Sequence, residues 1–284
     1  MNAKHIPIPE AAKAAGMTTL AFEDDFESLD TIGFHDETGR KWYTNSYGNI
    51  TTEDHITQGE SYIRMGPNSY GLVTYSRALD EGFTVTTGCY LECRMRAAMP
   101  TGEYGGIPAF WTIGLEDFMG RPWSDIGELD VVELFVTHNE KGEDQKYFAG
   151  TLHHHHRTGR LLENGRQETV FASNLVNANG YRDQFPFTDD DWHVYAALWE
   201  LGRITWYMDG VKMHSIEYTA DAEPRCFYRD DPTPLPPAEE FYGERVKGRR
   251  WVGAHSVMDT DEEVVLLTSR KTYPMDVDWV RIWR

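Results

Sequence analysis

Residues Gly127 to Phe135 read GELDVVELF, and they carry three carboxylates, Glu128, Asp130 and Glu133, inside an otherwise apolar run. Two such acids can divide the cleavage of a glycosidic bond between them. One attacks the sugar carbon while the other gives a proton to the departing oxygen, which requires carboxyl groups about 5–5.5 Å apart. A third acid between them would hold its neighbour and separate the two pKa values through like-charge coupling. A regular strand frustrates this scheme, because alternation sends Glu128 and Asp130 to one face and Glu133 to the other. Burying an unpaired charge costs several kcal/mol, so all three acids should share one wet face. One extra residue at Val131-Val132, a β-bulge, restores the phase and re-aims Glu133. Glu128 and Glu133 then stand about 13 Å apart along a straight backbone, a gap that curvature and two long side chains can close.

Aromatic residues nearby favour this chemistry over a plain charged edge strand, which acids also defend against aggregation. Trp111 and Trp123 precede the motif, and pyranose rings present apolar faces that stack on such side chains. Downstream runs His153-His154-His155-His156, whose alternation puts His153 and His155 on one face, within reach of a substrate or a metal. No HExxH and no Cys/His spacing accompanies them, so the expectation is sugar contact and no catalytic metal.

These residues need a rigid frame, and the chain supplies strands in quantity. Aromatics make up 13% of 284 residues, and 25 Gly and 13 Pro punctuate short alternating runs such as SYIRM, IPAFWTIG, WHVYAALWEL and RITWYMDG. Asp209-Gly210 after RITWYM is a hairpin signal. Strand following strand with little helix between predicts an all-β fold, a two-sheet antiparallel sandwich or jelly roll. Residues 1–18 form a separate N-terminal segment in which PEAAKAAG predicts a short helix ended by Gly16; 19–284 form a single catalytic domain. Within it, about 222–250 is proline-rich, charged and least strand-like, and is expected to be a long loop insertion beside a cleft.

A formal net charge of −19 excludes nucleic acid and anionic membranes as natural partners. Three cysteines make no disulfide framework, since Cys89 and Cys93 lie about 13 Å apart along one predicted strand. The first twenty residues lack the continuous apolar core of a secretory signal, which leaves a mature exported form or a cytoplasmic protein.

Taken in order along nearly the whole chain, PAFWTIG running into GELDVVE, FAGTLH, WHVYAALWELGRITWYMDG and MDVDWVRIW resemble glycoside hydrolase family 16, whose signature is E-x-D-x-E or its bulged form E-x-D-x-x-E. The resemblance implies a concanavalin-like jelly roll with an open groove, and endo-acting, retaining hydrolysis of a β-linked polysaccharide by a monomer. It makes Glu128 the nucleophile, Asp130 its assisting carboxylate and Glu133 the general acid/base, with Trp111, Trp123, His153 and His155 as substrate-binding residues. No cofactor is required; the resemblance allows a structural calcium near the acidic FEDDF segment, as in some relatives.

Two departures bear on the substrate. Ile107 stands where the β-1,3-glucanase branch has Trp before Pro-Ala-Phe-Trp, and EVVLLTSRKTYP runs almost directly into the closing strand without a glycine-rich segment. The compact ending, together with the bulged ELDVVEL, resembles the branch acting on agarose, porphyran or carrageenan, so an algal-type galactan is the first expectation and an endo-β-1,3(4)-glucanase the alternative. Acidity disfavours a heavily sulfated chain, although RVKGRR or Arg270-Lys271 beside the groove would offset it. A silent, lectin-like binding module on the same sandwich is the competing class.

Overall fold

The computed structural model describes residues 6–35, 37–44, 51–66, 69–97, 107–119, 125–138, 142, 144–161, 167–174, 186–187, 191–217, 225–228, 249–252, 262–269 and 273–284. Trp123 and Arg270-Lys271 lie outside them, as does the side chain of His155.

Two large sheets stack face to face, the sandwich that the strand-rich sequence predicts. The front sheet runs in the order Gln167–Asn174, Asp144–Leu161, Asp125–His138, Pro108–Gly114, Glu263–Ser269, Ser69–Val73, Trp42–Tyr43, Ile32–Gly33. The back sheet runs Val211–Glu217, Arg203–Met208, His193–Glu200, Cys89–Ala97, Met275–Trp283, Ile63–Met65, Ile56–Gln58. All pairings in both are antiparallel except the short contact of Ile32–Gly33 with Trp42–Tyr43.

Alternation along the strands fills the space between the sheets. Phe110, Leu129, Leu134 and Phe148 from the front meet Leu91, Tyr195, Trp199 and Ile282 from the back, all within one buried cluster. Cys89 and Cys93 belong to it as free thiols, and burial pushes both well above the usual thiol range. The Asp209-Gly210 hairpin forms where the sequence predicts it: Met208 pairs with Val211, and both turn residues take positive φ (49° and 76°), as a type I′ turn demands.

The N-terminal helix spans Glu10–Ala14, and Gly16 follows it at φ 81°. Ala12 and Met17 pack on Tyr90, Ala196, Leu198 and Trp283, so this segment covers the outer surface of the back sheet, away from the acids. Of the expected insertion at about 222–250, the described parts are not loop. Arg225–Tyr228 and Arg249–Val252 pair as an antiparallel ribbon, and the second of these strands lies against Gln167–Asn174 at the front sheet's edge.

Candidate active site

GELDVVELF lies inside a 14-residue strand, Asp125–His138, flanked by a partner on each side. Both ladders slip at the same place. Against Pro108–Gly114, Asp130 pairs with Trp111 and Val132 with Phe110, leaving Val131 as the extra residue. Against Asp144–Leu161, Asp130 pairs with Thr151 and Glu133 with Ala149, so Val131 and Val132 together face Gly150. A β-bulge therefore stands at Val131-Val132.

The register settles the parity. Ala109, Trp111 and Ile113 alternate on an unbroken strand, so they share one face, and their direct partners are Glu133, Asp130 and Glu128. On the other side Ala149, Thr151 and His153 repeat the relation. Three cross-strand rows result: Ile113-Glu128-His153, Trp111-Asp130-Thr151 and Ala109-Glu133-Ala149. Leu129, Val131, Val132 and Leu134 belong to the core between the sheets. Without the extra residue, Glu133 would have to enter that core.

Burial differs along the acidic line. Glu128 and Glu133 are partly exposed, whereas Asp130 retains 2% of its surface. His153, 9% exposed, brings its Nε2 2.8 Å from Asp130 Oδ2 and 3.8 Å from Glu128 Oε1. The imidazole thus bridges the first two acids, and its nearer contact is to a carboxylate that water scarcely reaches. Glu128, Asp130 and His153 are also the one grouping of three metal-capable side chains among the described residues. The 2.8 Å approach of Nε2 to Oδ2 is that of a direct side-chain contact.

Trp111 lies on the acids' face, beside Asp130, but it is 6% exposed and its indole N–H donates to Thr268 Oγ1 at 3.1 Å. It packs with Tyr43, Val73, Ile113, Phe118 and Leu266 in an apolar layer on the front of the sheet. The short helix Leu115–Phe118 lies against that layer. Trp111 therefore forms part of the floor under the acids and does not stand as an open ring.

At FEDDF the acids have internal partners. Asp24 accepts the Phe26 N–H on Oδ1 and the Trp42 indole N–H on Oδ2, each at 3.0 Å, and Asp25 pairs with Arg281 at 3.0 Å. Calcium needs six to eight converging oxygens, so this donor set does not fit it.

The sequence reading missed two residues that support the acidic strand, one behind it and one beside it. Trp206, on the back sheet, donates its indole N–H to the backbone carbonyl of Asp130 at 2.9 Å. Gly150, between Thr151 and Ala149, faces that indole, and a Cβ there would collide with Cδ1 and Nε1 of Trp206. A glycine inside a strand is a sequence signal for such a close approach; nothing in RITWYM reveals which carbonyl its Trp will meet.

Comparisons with known proteins agree with this architecture. Over 232 residues the chain is 28% identical to glucan endo-1,3-beta-glucosidase A1 of Niallia circulans, a match covering 72% of this chain and 30% of that protein. The chain thus spans under a third of that relative's length. The solved laminarinase of Flavobacterium sp. UMI-01 shares the fold with TM-score 0.50 at 14% identity, over 94% of this chain and all of that one. The endo-1,3-beta-glucanase (laminarinase) catalytic domain of Thermotoga petrophila RKU-1 is similar at 15% identity and TM-score 0.49, over 94% and 97% of the two chains. Finally, the model of the glycosyl hydrolases family 16 matches residues 45–261, a span that holds the bulged strand, its two neighbours and most of both sheets. This chain is a member of glycosyl hydrolase family 16.

Proposed function

We propose that this glycoside hydrolase is an endo-acting, retaining β-glucanase of the laminarinase type. Its catalytic groups are Glu128, Asp130 and Glu133, with His153 as support. One observation carries the assignment of residues: the bulge at Val131-Val132 gives three acids a common face, paired with Ala109, Trp111 and Ile113.

The chemistry follows in two balanced steps. Glu128 attacks the anomeric carbon as Glu133 delivers its proton to the glycosidic oxygen; the C–O bond breaks and a glycosyl ester forms on Glu128. Water then gives a proton to Glu133 and its oxygen to the anomeric carbon, freeing the Glu128 carboxylate and restoring the starting configuration. Asp130 and His153 stay intact throughout. The imidazole, 2.8 Å from Asp130 and 3.8 Å from Glu128, ties the buried carboxylate to the nucleophile and orients Glu128.

The substrate reading changes from the first expectation. Ile107 departs from the glucanase pattern, and the compact ending with the bulged ELDVVEL points to a galactan, but the relative at 28% identity is named for 1,3-β-glucan, which supports the glucan alternative instead. Residue 107 packs into the apolar layer around Trp111, so its identity answers to packing as well as to sugar. Neutral glucan also suits a chain of net charge −19 better than a sulfated galactan does.

The deciding experiment offers laminarin, mixed-linkage glucan, agarose, porphyran and carrageenan separately and sizes the products by mass spectrometry. Laminarin cut to oligosaccharides of several lengths, with galactans intact, is expected. Cleavage of a galactan alone would overturn the substrate reading, and binding of laminarin without turnover would favour the lectin-like class.

A further inference from the structure

We infer that Trp206 is a positioning residue for catalysis: from the opposite sheet it pins the bulge that aims the acids. This rests on the proposed role of Glu128, Asp130 and Glu133. A bulge leaves its extra residue unpaired, disrupts the ladder locally and bends the strand, so its aim depends on what holds it. Here the carbonyl of Asp130, immediately before the extra residue, accepts the Trp206 indole N–H at 2.9 Å across the core.

The donor is itself held. Trp206 is 1% exposed, and the His214 ring lies parallel to it, with centroids 5.8 Å apart and planes 17° from one another. Burial, with the charge of Lys212, keeps His214 below its ordinary pKa, so a neutral ring backs the indole. Against Cδ1 and Nε1 of the indole, Gly150 leaves the space a Cβ would occupy. Gly150 sits between the partners of Asp130 and Glu133. Stack, gap and hydrogen bond together fix the peptide on which Asp130 hangs. An ordinary core tryptophan requires only the first two.

The discriminating variant keeps the shape and deletes the N–H. Nonsense suppression places 3-benzothienylalanine, sulfur for N–H, at position 206 alone, because nine tryptophans make global replacement uninterpretable. With folding confirmed by circular dichroism, kcat on laminarin is expected to fall about tenfold or more and KM to stay within about twofold, since misplacement of reacting groups acts mainly in the transition state. The kcat–pH profile should move, and the NMR resonances of the His153 ring should shift as Asp130 does. Gly150→Ala, which expels the indole, is expected to act in the same direction.

Wild-type kcat, pH profile and His153 resonances in the folded isostere would overturn the inference. So would a lower melting temperature with unchanged turnover per folded molecule, the mark of a merely structural role. Glu128→Gln serves as the control: should it remain active, the proposed catalytic assignment fails on its own, and the His153 resonances alone decide whether Trp206 positions Asp130.

Discussion

Glu92 gives the protein a pH-dependent stability that is independent of its chemistry. It lies on the outer surface of the back sheet, lines a hollow beneath Pro7–Ala11, and is 6% exposed. Burial raises its pKa from 4.5 to about 7, against the opposing pull of the Trp283 indole N–H at 2.9 Å and the Arg281 charge. Because the folded value exceeds the unfolded one, the native state binds the extra proton between the two. The contribution is therefore fully present below about pH 4.5 and lost as pH rises through about 7. The rise from 4.5 to about 7 corresponds to roughly 3 kcal/mol. Glu92→Gln keeps an oxygen for Trp283 and removes the titration. Between pH 4.5 and 8 the variant should gain on wild type by up to about 3 kcal/mol, or roughly 6–12 °C in Tm for a domain of this size. Urea melts of both proteins across this range measure the difference directly. A difference that stays constant with pH would refute the reasoning, and one that narrows as pH rises would reverse its sign.

Three further outcomes are expected. Glu128→Gln and Glu133→Gln should each reduce kcat on laminarin by about 10⁴-fold or more while the oligosaccharide is still bound, which isothermal calorimetry can check. His153→Ala takes away the contact at 2.8 Å from a nearly dry carboxylate, so it should cost about 1–3 kcal/mol in denaturant melts and lower kcat more than it raises KM. Gly16→Ala forces a side chain into φ 81° and should lower stability by about 1 kcal/mol with activity unchanged.

Much of the site was legible because charge and alternation conflict in one short run. Three acids among Leu and Val admit one economical solution, an extra residue at Val131-Val132, and the ladders on both sides contain it. Hairpin and helix end were equally open to reading, since Asp209-Gly210 and Gly16 sit where only certain backbones are cheap. Trp111 was harder. A sequence gives its face but not its cover, and the layer of Tyr43, Phe118 and Leu266 comes from strands and a helix far away in the chain. The ribbon of Arg225–Tyr228 with Arg249–Val252 was hidden by the prolines and charges between its two strands. Substrate identity was least accessible, because Ile107 serves the packing of the floor and so speaks weakly about the sugar.

The position of the closing strand governs how the chain reaches this state. Met275–Trp283 has Cys89–Ala97 along one side, and Leu20–Asp24 together with Ile63–Met65 along the other. On a ribosome these early segments would wait, with apolar surface uncovered, until residue 283 emerged to join them. Completion of the back sheet thus waits on a long-range pairing, the kind that topology makes slow, although Cys89–Ala97 and the strands from His193 to Glu217 can pair before it.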